Sequence, residues 1–99
     1  MNMQQIMMQA QKMQRELKKA KEELARKEFK VTKAGVVTVV MLGNKTVKSI
    51  DIDSDAFTPE YKEDTELMIA SAINELIEQI ESVEEEINEK ITGRGGLPF

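Results

Sequence analysis

One apolar stripe, carried by residues 64–91, limits how this chain folds more than any other pattern in it. Its members recur at helical spacing: Leu67, Ile69, Ile73, Leu76, Ile80, Val83 and Ile87. A helix over these residues spans roughly 42 Å, whereas a compact domain of about 100 residues has a radius of gyration near 13 Å. Because the stripe continues beyond the reach of one small core, it predicts a partner surface near the end of the helix.

A second helix is predicted at residues 3–27, which contain no Gly or Pro. Apolar residues form a heptad seam there, with these members at a and d positions: Met3, Ile6, Ala10, Met13, Leu17, Ala20 and Leu24. Glu16 and Lys21 fall at g and e positions, which suits a cross-helix ion pair. We expect both long helices to pack across a dimer interface. The alternative is that they pair with each other over the sheet of one chain.

Between the two helices, residues 28–53 change to the two-residue period of β-strands. Phe29 and Val31 alternate with polar residues, residues 36–42 are rich in valine, and Val47, Ile50 and Ile52 mark a third strand. Turns at 33–35 and 43–45 connect these strands, and the change of parity after Val47 predicts a bulge near residues 48–49. The fold class is therefore α+β, with a long N-terminal helix, a three-stranded antiparallel meander and a long C-terminal helix.

The ends of the second helix carry recognisable signals. Thr58 or Asp64 is expected to cap its start, and Gly93 is expected to end it. These limits predict a single domain over residues 1–92 and a flexible C-terminal tail over residues 93–99.

Composition excludes several classes of function. The chain has no His and no Cys, which removes imidazole and thiol catalysis and Cys/His zinc sites. Asp51, Asp53 and Asp55 have the opening spacing of a calcium loop, but Ala56 and Lys62 stand where that loop needs Gly and Glu. The longest nearly apolar run, residues 36–42, is far shorter than the roughly 20 residues of a membrane helix. We expect no enzyme activity, no cofactor, no metal, no small-molecule substrate and no membrane association.

Charge is distributed unevenly along the chain. The net charge is −4, yet residues 1–33 hold nine Lys or Arg against four Glu, and residues 34–99 hold five Lys or Arg against fourteen Asp or Glu. Such asymmetry is typical of a polyanion-binding arm. The alternative interpretation is that charged helices simply expose solvated faces.

The order and spacing of several segments resemble the YbaB/EbfC family of nucleoid-associated proteins over nearly the whole chain. They are MMQAQKMQ at 7–14, AGVVTV at 34–39, Gly43-Asn44 with IDID at 50–53, DTELMIASAINE at 64–75 and GLPF at 96–99. In the fourth segment, Leu67 and Ile69 lie closer together than the family pattern, and Glu75 and Leu76 stand where a small residue is usual. The resemblance implies a tweezer-like homodimer with a shared sheet, binding to double-stranded DNA, a nucleoid location in the cytoplasm and no catalysis.

The first helix offers the best surface for DNA. Its candidate phosphate-binding residues lie at b, c and f positions, away from the seam: Lys12, Arg15, Lys18, Lys19 and Arg26. Lys90 and Arg94, near the end of the second helix, are weaker candidates. No aromatic residue or Asn/Gln cluster is placed to read bases, so the pattern predicts salt-sensitive binding with low sequence specificity. Glu84, Glu85, Glu86 and Glu89 must face away from this surface, or the site lies elsewhere.

A different class of function also fits the sequence. The Met-rich first helix and the acidic second helix suit a protein–protein adaptor of the replication or repair machinery. A gel shift that weakens with salt indicates the DNA-binding function, whereas a pull-down insensitive to nuclease and without a gel shift indicates the adaptor.

Overall fold

The computed structural model describes residues 2–93 of the chain. Its elements are, in order, α1 (Met3–Arg26), β1 (Glu28–Lys33), β2 (Val37–Leu42), β3 (Val47–Ile52), two short 3₁₀ turns (Ser54–Ala56 and Pro59–Tyr61) and α2 (Lys62–Thr92). This order confirms the predicted α+β class with its two long helices and its meander. The predicted tail lies, apart from Gly93, outside the described residues.

The three strands form one antiparallel sheet in the order β1-β2-β3. Ala34 and Gly35 both have positive φ, 52° and 69°, and let the chain turn tightly between β1 and β2. In the pairing of β2 with β3, Val40 lies opposite Ser49 and Met41 opposite Val47, so Lys48 is the extra residue. This is the predicted bulge, and it keeps Val47 on the same side of the sheet as Ile50.

The core forms where α2 crosses the sheet. Val37, Val39 and Met41 alternate along β2 and are fully buried against α2. The sheet-facing residues of α2 are Ala72, Leu76 and Ile80, each with no exposed surface. Burial of one such aliphatic side chain contributes about 1.5–3 kcal/mol, so this contact supplies most of the stability available to so small a domain.

Two expectations about the start of α2 are wrong. Leu67, placed in the apolar stripe by sequence, is 69% exposed, and Met68 packs against the core in its place. The reason is helical phase, since Met68 lies four residues before Ala72 and Leu67 lies five. Neither Thr58 nor Asp64 caps α2: the N-cap is Tyr61, without a side-chain cap bond, because the turn that starts at Pro59 runs directly into the helix.

The end of α1 is held against the sheet by a close backbone contact. The Lys27 N–H donates to the Leu24 carbonyl over 3.0 Å, and the Gly43 N–H donates to the Lys27 carbonyl over 2.9 Å. Leu24 is the buried residue of this helix. At Gly43, a Cβ atom would lie 1.8 Å from the Leu24 carbonyl oxygen, so only glycine permits this approach.

The two helices meet within one chain, but only over part of their length. Ala20 and Leu24 of α1 line a cleft with Val83 and Ile87 of α2. The rest of α1 extends from the body, and the chain measures 69 × 20 × 14 Å with a radius of gyration of 19.6 Å. Contact within one chain thus covers the end of the α2 stripe, while packing across a dimer interface stays a prediction. Within residues 2–93, no helix is both long and apolar enough to cross a membrane.

Substitution Gly43→Ala is expected to destabilise the protein by about 1–3 kcal/mol, because the new methyl group overlaps backbone atoms that cannot rotate away. Urea unfolding followed by circular dichroism measures the change. Gly93→Ala is the matched control, since a Cβ atom there meets nothing within 4 Å and its backbone is right-handed. Equal stability of the two variants contradicts the proposed anchoring of α1.

Candidate nucleic-acid interface

Four cationic side chains form a line along one side of α1. Successive helical residues are about 100° apart, which places Lys12, Arg15, Lys19 and Arg26 within an arc of about 60°, opposite Leu17 of the seam. All four are exposed. From Lys12 to Arg26 the line is roughly 21 Å long. We call these four residues the basic ridge; Lys18, the fifth predicted contact on α1, lies on its flank.

The ridge is carried by a well-formed helix. Asn2 caps its start, where the side-chain oxygen accepts a hydrogen bond from the Gln5 N–H over 2.8 Å. Arg26 in the last turn complements the negative end of the helix dipole. The spacing of the cations is therefore fixed by regular helix geometry, which a flexible basic segment lacks.

Few cations of the ridge are neutralised by an ion pair with a nearby glutamate. Lys12 lies 4.0 Å from Glu16, and both side chains are largely exposed, so this pair is weak. Within residues 2–93, Arg15, Lys18, Lys19, Arg26 and Lys90 form no ion pair. Glu22 lies beside the ridge on the same helix and lowers its local charge without pairing with it.

The lysines of the sheet, of the turn between β2 and β3 and of the start of α2 differ from those of α1 in how many are paired with a carboxylate. Four of them are paired with a glutamate: Lys33 with Glu75, Lys45 with Glu84 at 3.2 Å, Lys48 with Glu28, and Lys62 with Glu66 at 3.2 Å. Lys62–Glu66 is as exposed as Lys12–Glu16 and is equally weak, and Lys30 of β1 forms no ion pair within the described residues. Most of the unpaired cations, but not all of them, therefore lie on α1.

Lys90 lies on the neighbouring helix, on the seam side of α1 and not on the ridge. It lines the cleft between the two helices together with Lys27, a cation that helical spacing alone did not identify. The Lys27 ammonium also lies 5.5 Å from the centre of the Phe29 ring. The sequence feature that could have identified Lys27 is its position at the C-terminal end of the predicted helix. Arg94, the remaining predicted contact, lies outside the described residues.

Three of the four acidic residues that the sequence places near the end of α2 are paired or directed away from α1, whereas Glu86, about 60° around the helix from Val83, flanks the cleft. Glu84 is held by Lys45. Val83 and Ile87 line the cleft with α1, and Glu85 and Glu89 follow each of them by two residues, about 200° around the helix. These two carboxylates therefore lie on the side of α2 away from α1, which removes the electrostatic difficulty that the sequence raised for them.

A set of glutamines next to the ridge was missed by sequence reasoning. Gln5, Gln9 and Gln11 line a shallow surface together with Lys12 and Arg15. Their amides can hydrogen-bond phosphate oxygens beside the charged contacts. The spacing of Gln5 and Gln9, one helical turn apart, is the signal that identifies a shared face.

Comparison with known proteins places the whole chain in one family. The model of the YbaB/EbfC DNA-binding family matches residues 1–96. The chain is 42% identical over 100 residues to a nucleoid-associated protein of Lactococcus lactis subsp. lactis (strain IL1403), covering 100% of this chain and 99% of that protein. It is 38% identical over 99 residues to a nucleoid-associated protein of Mycoplasmopsis pulmonis (strain UAB CTIP), covering 100% and 97%.

A third relative shows a similar degree of likeness. A nucleoid-associated protein of Acinetobacter baumannii (strain ATCC 17978) is 40% identical over 105 residues, with 99% of this chain and 94% of that protein covered. With a family match over nearly its whole length and relatives aligned almost end to end, the chain belongs to the YbaB/EbfC DNA-binding family, as its motifs predicted.

Proposed function

We propose that this protein is a nucleoid-associated homodimer that binds double-stranded DNA with low sequence specificity through the basic ridge of α1. The observation that carries the proposal is the segregation of charge. On the sheet, Lys33 and Lys48 are paired with glutamates and Lys30 is not, whereas none of the ridge residues beyond Lys12 forms an ion pair within the described chain. The family is one of DNA-binding proteins rather than of enzymes, and its relatives carry nucleoid-associated names.

The chemistry of the ridge favours contact with phosphates over contact with bases. Duplex DNA carries one negative charge per roughly 1.7 Å of axis, so a line of cations about 21 Å long faces many phosphates and releases their counterions on binding. Phosphate contacts fix position but carry no sequence information. Low specificity and steep salt dependence therefore follow from the same side chains.

Strand β3 supports the homodimer part of the proposal. Helix α2 packs on β1 and β2 and leaves β3 largely open. Val47 and Ile50, which lie on the core side of the sheet, remain 39% and 45% exposed, and the outer edge of β3 pairs with no described strand. Pairing of two β3 strands around a twofold axis covers this edge and gives a shared six-stranded sheet with two projecting α1 helices.

The double substitution Arg15→Ala/Lys19→Ala is expected to weaken binding to duplexes of unrelated sequence to a similar degree. It is also expected to reduce the slope of log K against log salt by about one for each phosphate that the variant no longer neutralises. Fluorescence anisotropy with a labelled duplex over a series of salt concentrations measures both effects. The matched control is Lys48→Ala/Lys62→Ala, since this variant removes the same amount of positive charge from β3 and the start of α2, away from the ridge.

Two results contradict the DNA site. One is an unchanged slope in the Arg15→Ala/Lys19→Ala protein, and the other is an equal weakening of binding in the control. A wild-type protein that binds no duplex even at low salt overturns the function itself, and capture of a protein partner after nuclease treatment then indicates the adaptor.

The β3 surface is tested by substitution Ile50→Glu, which places a charge on the proposed interface. We expect the mass in solution to fall from two chains to one while the circular dichroism spectrum stays that of a folded protein, because Ile50 is not part of the buried core. Ser49→Glu is the control, since Ser49 is adjacent but lies on the other side of the sheet. A single-chain mass for the wild type, or an unchanged mass for Ile50→Glu, contradicts this interface.

A further inference from the structure

The N-terminal half of α1 exposes an apolar seam on the side opposite the basic ridge. Contact with α2 involves Ala20 and Leu24, so the seam from Met3 to Leu17, roughly 21 Å long, continues past the packed region. Met3 is 77% exposed and Ile6 is 44% exposed. Among the described residues of α1 only Leu24 is buried, although the heptad pattern is the same in both halves of the helix.

We propose that this seam binds the same seam of a second copy, as a short parallel coiled coil that joins one homodimer to another. This goes beyond the homodimer formed through β3, and the occupant is identified by the residues that flank the seam. In a parallel coiled coil, a g residue of one helix faces the e residue five positions further along the other helix. Glu16 then faces Lys21 of the second copy, and Gln9 faces Gln14 of the second copy.

Both residues of the charged pair are available for this contact. Lys21 forms no ion pair within the described chain, and Glu16 has only the distant, exposed Lys12 as a partner at 4.0 Å. A twofold axis between the helices forms the Glu16–Lys21 pair twice. Charge complementarity therefore favours self-association in the parallel direction, and the methionines of the seam adapt to an imperfect fit.

Self-association through the seam has a geometric consequence for the ridge. Because the ridge lies opposite Leu17, pairing of two seams directs the two ridges outward in opposite directions. If the ridge binds DNA as proposed, such an assembly holds two duplex segments at once. This last consequence rests on the DNA contact of the proposed function, and the masses expected below rest on its β3 homodimer, whereas the contact between the two seams rests on neither.

Analytical ultracentrifugation over a range of protein concentrations tests the pairing by mass. The coiled coil covers only about two heptads, so we expect weak association, with the average mass rising above two chains as concentration increases. Ile6→Glu, at a d position, is expected to abolish this rise without changing the two-chain mass. Met8→Glu is the matched control, because Met8 is also accessible but lies at an f position opposite the seam.

Charge exchange tests the predicted partner pair. Glu16→Lys is expected to reduce the rise in mass, and addition of Lys21→Glu to that variant is expected to restore it, since the exchanged pair is again complementary. The absence of cysteine from the chain adds a test of direction: Met13→Cys is expected to form disulfide-linked chains on oxidation, as equivalent d positions meet in a parallel pair, while Met8→Cys is not.

The inference is overturned if the wild type never exceeds two chains, if Ile6→Glu leaves the rise intact, or if the Met8→Cys protein cross-links as readily as the Met13→Cys protein. Failure of the proposed function is recognised separately by duplex anisotropy. A protein that binds DNA in a salt-dependent manner but never exceeds two chains retains that function and lacks the helix pairing.

Discussion

The burial of one face of β2 under α2 determines the rest of this structure. Val37, Val39 and Met41 meet Ala72, Leu76 and Ile80 in an aliphatic core without an aromatic side chain at its centre. One helix is about as wide as two strands, so α2 covers β1 and β2 and leaves β3 open. The small core is fully covered. Strand β3, however, keeps an outer edge that pairs with no described strand and the exposed apolar side chains of Val47 and Ile50, and both features favour association with another chain.

The same arrangement separates the charges of the chain. Because α2 lies across the sheet, its glutamates are close to lysines of β1 and of the turn between β2 and β3, and Glu75 and Glu84 pair with Lys33 and Lys45. Helix α1 contacts the body only near its end, so its cations remain beyond the reach of those glutamates. A protein with a net charge of −4 thereby presents an arm on which six Lys or Arg outnumber three Glu.

Much of this fold could be predicted from sequence because its patterns are local. The heptad seam predicted α1 to within one residue, the run of valines predicted β2, and the parity change predicted the bulge at Lys48. The start of α2 and the exposure of Leu67 could not be predicted, since they depend on how the turn at Pro59 enters the helix and on the phase at which the helix meets the sheet.

The candidate site was predictable only in outline. Helical spacing is sufficient to place the basic ridge on one side of α1, but which lysines are neutralised is decided by contacts between residues far apart in the chain, such as Lys45 with Glu84.

Contact between α1 and DNA can be observed residue by residue, by titrating the isotope-labelled protein with a short duplex and following the backbone amide signals in NMR spectra. We expect the largest shifts to follow one side of α1 from Lys12 to Arg26 and to disappear as salt is added. Shifts that instead follow the sheet or the glutamate-bearing side of α2, with α1 unaffected, would contradict DNA binding by the ridge.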